Sequence, residues 1–141
     1  MKGIGAMSEK TLWKWLNKKM AHDPNWRSAR LEKCLEKGIP DAVVRFTDSN
    51  SRTMLITFME LKDWSESPKH PLSVEQKNFI QTFGGAVLIR AQDKLCMLGK
   101  NHNLVPLMSA DVGYALSHGI VTPISDFTPA WLNAALTHCE L

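Results

Sequence analysis

Apolar residues first recur at helical spacing at Leu12, Trp13, Leu16 and Met20, with Lys10, Lys14, Lys18 and Lys19 filling much of the remainder. That pattern predicts an amphipathic helix. Ser8 is placed to cap it, and Glu9 falls in the first turn, where an acid meets the positive end of the helix dipole. The turn cluster His22-Asp23-Pro24-Asn25 ends it. Residues 27–36 are ambiguous: they read as a helix, or as a strand in which Ala29 and Leu31 alternate with Arg30 and Glu32. Gly38-Ile39-Pro40 breaks whatever precedes it, because the residue before a proline is pushed towards extended geometry. Ala42–Phe46 is β-rich, Thr47–Ser51 reads as a turn, and Met54–Leu61 predicts a long strand. Leu55, Met59 and Leu61 fill one face of that strand and Met54, Ile56 and Phe58 the other, which predicts a central strand covered on both sides.

Asp63–Pro71 is a polar loop. Ser73-Val74-Glu75-Gln76 has the form of a capping box, opening a helix through Phe79, Ile80 and Phe83 that Gly84-Gly85 stops. Ala86–Ala91 and Leu95–Leu98 predict two strands around a turn at Gln92-Asp93-Lys94. The tail predicts helices near Ser109–Ser117 and from Pro129 to Thr137, joined by a link bearing Gly and Pro. The expected architecture is α/β: a mixed β-sheet flanked by helices, with a helical C-terminal appendix. Residues 1–7 read as a flexible lead, 8–104 as the core and 105–141 as a helical extension packed on it.

Composition changes this picture little: 141 residues, 44% hydrophobic and 22% charged, suit one globular domain rather than a fibre, a coiled coil or a disordered tail. No apolar run approaches the roughly 18–20 residues of a membrane-spanning helix. Residues 1–7 lack the apolar stretch of a secretory signal. Cys34, Cys96 and Cys139 are odd in number and carry no C-x-x-C pair, as suits a reducing cytoplasm. All 17 Lys and Arg lie within residues 1–100 against 11 acids, while residues 101–141 carry only three acids. A basic body of that kind suits a polyanionic partner.

The chemistry gathers around Pro40-Asp41 and Glu60-Leu61-Lys62. With the hairpin turn centred on Asn50-Ser51, antiparallel partners sum to about 101, placing Asp41 opposite Glu60. Glu60 and Lys62, two apart, project from one face. Two carboxylates and an ammonium at the end of an apolar strand pair are costly to desolvate. They suit a hard divalent cation, held by Asp41 and Glu60 with the Leu61 carbonyl and by waters and phosphate oxygens. Such an ion polarises a phosphate and lowers the pKa of a bound water, while Lys62 neutralises charge developing on the phosphoryl oxygens.

These residues resemble the PD-(D/E)XK nuclease motif. With Arg30-Leu31-Glu32, Gly38-Ile39-Pro40-Asp41, Glu60-Leu61-Lys62 and Leu72 to Phe79, the chain is similar to small phage-type VRR-NUC and Holliday-junction-resolvase-like endonucleases. The resemblance spans about residues 8–99. It implies a restriction-endonuclease-like fold and Mg²⁺-dependent hydrolysis of DNA phosphodiesters, with Mn²⁺ able to substitute. It also implies branched or structured DNA as substrate, a homodimer, and a bacterial or phage-infected cytoplasm. Under it, Asp41 and Glu60 match the metal-binding acids and Lys62 the catalytic lysine. Glu9 or Glu32 matches an additional glutamate, and Gln76, otherwise explained as half of a capping box, matches a glutamine common in this branch.

Lys10, Lys14, Lys69 and Lys77 are candidate phosphate contacts. Trp64 is placed either for packing in its loop or for stacking on an unpaired base. The stripe Leu12, Trp13, Leu16, Met20 and the tail residues Trp131, Leu132 and Leu136 offer apolar surface for a dimer or, alternatively, for the chain's own sheet. A site-specific restriction-like nuclease and a non-catalytic DNA-binding module of the same fold are the rival readings.

Overall fold

The computed structural model describes residues 9–31, 37–48, 50, 52–66 and 69–140. The lead at 1–7, the Ser8 cap, Glu32 and the turn residues Ser49 and Ser51 lie outside the described residues. Helix α1 (Glu9–Met20) forms where the 3.6-residue stripe predicts it, with Leu12, Leu16 and Met20 fully buried. A turn at Asp23, whose carboxylate accepts from the Asn25 N–H at 2.9 Å, redirects the chain. Residues Trp26–Arg30 then form strand β1, which settles the ambiguous stretch as strand at its start.

Strands β2 (Ala42–Thr47) and β3 (Thr53–Asp63) make the expected hairpin. Ala42 pairs with Met59, the register that sets Asp41 opposite Glu60 one step further on, and the pairing shifts near the turn between Phe46 and Thr47. Helix α2 (Val74–Phe83) crosses over to β4 (Ala86–Ala91), which pairs with β3 in parallel through Met59–Asp63. Strand β5 (Lys94–Gly99) returns antiparallel. The chain continues through a 3-10 turn at Val105–Ser109, helix α3 (Val112–His118), strand β6 (Ile120–Pro123) and helix α4 (Pro129–Glu140). The result is a six-stranded mixed sheet in the order β1-β2-β3-β4-β5-β6.

The sheet divides two apolar layers. Ala42, Val44, Phe46, Met59, Leu61, Leu88 and Met97 face α1 and α4 on one side, while Val87, Ile89, Cys96 and Leu98 meet Ile80, Leu107 and Ala115 on the other. β4 is buried along its whole length, as a strand covered on both faces must be.

Two expectations are corrected and one open alternative is decided. The link between the C-terminal helices contains a strand: Ile120–Pro123 is short and bounded by Gly119 and Pro123, so its pattern is weak, yet it pairs with β5 along Lys94–Met97. β3 is not covered on both faces throughout: on the face where Phe79 of α2 meets Phe58, Met54 is 67% and Ile56 60% exposed. Of the two readings given for the apolar stripes, the structure favours packing on the chain's own sheet. Leu12, Leu16, Met20, Leu132 and Leu136 are all fully buried, and Trp13 and Trp131 pack against the same core.

Candidate metal centre

Asp41 enters the site from the bend after Pro40, and its Oδ2 accepts the Leu61 N–H at 2.7 Å, locking the loop to the end of β3. Gly38 allows the loop to lie close: with φ +86°, it presses against the first turn of α2, where a Cβ would come within 2.6 Å of the Glu75 carbonyl. The same turn of α2 carries the capping box. Gln76 N–H donates to Ser73 Oγ at 3.0 Å, and Gln76 Oε1 accepts the Ser73 N–H at 2.9 Å. The far end of that amide is thereby free to donate Nε2–H to Glu60 Oε2 at 2.9 Å. One side chain thus closes the helix and orients the Glu60 carboxylate.

Glu60 and Lys62 alternate onto the α2 face of β3, where they are 2% and 5% exposed, with Lys62 Nζ 3.5 Å from Glu60 Oε2. Glu9 is the first residue of α1. One carboxylate oxygen from each of Glu9, Asp41 and Glu60 lies within 4.8 Å of the others. Among the described residues this is the only group of three or more His, Cys, Asp or Glu side chains that meets so closely.

Three carboxyls meet one lysine in this site. Burial, reinforced by the charge of Asp41, pushes the Glu60 carboxyl up to about 8, against the pull of Lys62. Burial also raises Glu9; Lys62 and His70 act to lower it, and Asp41 and Asp63 to raise it. Glu60 Oε1 is buried without a hydrogen-bond partner among the described residues, a costly state unless something else completes the site.

No family model, no curated protein and no solved structure matches the chain. The site stands on its geometry. Asp41, Glu60, Lys62, Glu9 and Gln76 come together in it, from four separate stretches of chain. Leu61 borders it through its N–H. Lys10, Lys14 and Lys69 are exposed; Lys77 is half-buried and turns its ammonium to Asn78 Oδ1 at 3.1 Å and Gln81 Oε1 at 3.3 Å. Trp64 is not available for stacking: it is 2% exposed, and its indole N–H donates to the His70 carbonyl at 2.8 Å.

Sequence reasoning missed Asp63 and Arg90. They are register partners across β3 and β4 and both are buried just beyond Lys62. Ser65 joins them, its N–H donating to Asp63 Oδ1 at 3.0 Å and its Oγ accepting from Arg90 Nη1 at 3.2 Å. The signal was an arginine inside the otherwise apolar run Ala86–Ala91.

Proposed function

We propose that this protein is a metal-dependent phosphodiesterase of the PD-(D/E)XK type, an endonuclease acting on branched or structured DNA. The observation that carries the reading is the meeting of Glu9, Asp41 and Glu60 oxygens within 4.8 Å, with Lys62 alongside. A hard divalent cation such as Mg²⁺ or Mn²⁺ fits the donor set, which is all oxygen, rich in negative charge and supplied with a buried, unpartnered Glu60 Oε1. Bound there, such an ion polarises a phosphate oxygen and lowers the pKa of a coordinated water.

The chain's own residues supply the rest. Asp41 and Glu60 would hold the ion, together with Glu9 and the Leu61 carbonyl. Gln76 fixes the Glu60 carboxylate through its amide. Lys62, already desolvated, offers an ammonium to charge developing on the phosphoryl oxygens.

The test is cleavage of matched duplex, single-stranded, flap and four-way-junction DNA in Mg²⁺ or Mn²⁺. Asp41→Asn, Glu60→Gln and Lys62→Ala are each expected to lower the rate by about 100-fold or more while leaving the fold intact. A wild-type rate from Asp41→Asn, or activity that survives EDTA, overturns the reading. Symmetric cutting of a junction calls for two such sites about a two-fold axis, so light scattering of the active species reports whether a homodimer acts.

A further inference from the structure

The face of the sheet that carries Asp41 and Glu60 does not end at the site. Val43 and Arg45 of β2 continue along it from Asp41, and beyond the reach of α2 it lies open. Arg27 stands directly opposite Arg45 across the β1–β2 pair, Ala29 opposite Val43, and Ile56 opposite Arg45 on β3. These side chains line an open groove of about 280 Å³. Both arginines are exposed. Like charges directly opposite in a sheet repel, and the ion pairs among the described residues, Arg52–Asp48 and Lys62–Glu60, involve neither of them. One Arg27 nitrogen donates to its neighbour's carbonyl, Trp26 O, at 2.7 Å, which steadies the guanidinium without neutralising it.

Two adjacent, uncompensated guanidiniums over an apolar floor suit a phosphodiester backbone, with phosphate between the charges and sugar against Ala29, Val43 and Ile56. A second copy of this chain suits the groove poorly. A two-fold contact sets the same patch against itself, gathering four arginines around a lining that holds no acid. Arg45 lies four residues from Asp41 along β2, roughly 13 Å at about 3.3 Å per residue.

We infer that this groove seats the backbone of the nucleic acid whose scissile phosphate lies at the carboxylate site, Arg27 and Arg45 gripping a neighbouring phosphate of the same backbone. The inference rests on the phosphodiesterase reading for its substrate, and its test reads binding separately from cleavage.

Fluorescein-labelled linear duplex and four-way-junction DNA are titrated in Ca²⁺ by anisotropy across a KCl series, and cleavage is followed in Mg²⁺. Arg27→Ala/Arg45→Ala is expected to weaken binding about tenfold and to flatten the dependence of log Kd on log salt by about 1–2. KM rises while kcat holds. Arg27→Lys/Arg45→Lys keeps the salt slope, and removing the like-charged pair leaves Tm unchanged or raises it. An alanine variant with wild-type Kd and salt slope overturns the inference. So does a variant whose only change is a smaller mass in light scattering, which assigns the groove to a second copy. Wild-type protein that binds DNA but cuts none sinks the catalytic reading and leaves the groove standing. Wild-type protein that cuts, with the alanine variant binding as tightly, does the reverse.

Discussion

Glu60 concentrates the chemistry of this site in one carboxyl. It is buried beside Asp41, tied to Gln76 and 3.5 Å from Lys62, and its pKa stands at about 8 against 4.5 for an ordinary glutamate. Between those values the folded protein holds a proton that the unfolded chain has lost. The associated stability is complete below about pH 4.5 and is lost as pH rises through about 8. Thermal melting of the metal-free protein between pH 5 and 8 is therefore expected to fall more steeply for wild type than for Glu60→Gln, and the variant is the more stable of the two at pH 8. Parallel pH profiles for the two proteins contradict this. A divalent ion competes with the same proton, so Mg²⁺ or Mn²⁺ is expected to raise Tm more at pH 8 than at pH 6 in wild type, and little at either pH in Asp41→Asn.

At the scale of elements, the loop Gly38–Asp41, the end of β3 and the first turn of α2 are one unit. Ser73 and Gln76 separate its structural and chemical duties. Ser73→Ala removes a cap and is expected to cost about 1 kcal/mol of stability with kcat nearly unchanged. Gln76→Ala loses its half of the capping box and also the hydrogen bond to Glu60, so kcat falls too. Equal loss of kcat in the two variants counts against a direct role for Gln76. Gly38→Ala forces a side chain into the backbone of Glu75 at a positive φ. It is expected to destabilise by about 1–3 kcal/mol and to lower kcat by moving Asp41, measured by chemical denaturation and cleavage together.

Across the whole molecule, the C-terminal third completes the fold. Gly85 N–H donates to Glu140 Oε1 at 2.9 Å and Thr57 donates to the same oxygen, so the last turn of α4 ties β3 to the start of β4. Leu132 and Leu136 fill the layer beneath α1 and α4. Leu136→Ala is expected to cost about 2–5 kcal/mol in denaturant unfolding. Cys96 and Cys139 are buried, and burial pushes each thiol up to about 12, so both are expected to resist iodoacetamide until the protein unfolds. Among the described residues no helix is long and apolar enough to cross a membrane.

Much of this was local and therefore legible. The stripe of α1, the Ser73 capping box and the period-2 strands are written in neighbouring residues. Placing the turn near residue 50 gave the register of Ala42–Phe46 with Leu55–Met59, although the pairing shifts by one at Thr47–Thr53, and so set Asp41 against Glu60 from spacing alone. Other features depended on partners distant in the chain. Whether an apolar stripe faces its own sheet or another molecule is decided by the packing of α1 and α4, and the same side chains serve either outcome. The outer half of β3 has the apolar pattern of a buried strand, yet one face of it is open because α2 packs no further out than Phe58. β6 is too short to announce itself and forms because β5 offers it an edge. The sequence by itself determined the elements and the residue types at the site. Tertiary structure decided which faces are buried, the approach of Glu9 to Asp41 and Glu60, and the pairing of Arg27 with Arg45, because burial and charge proximity arise only when separate segments meet.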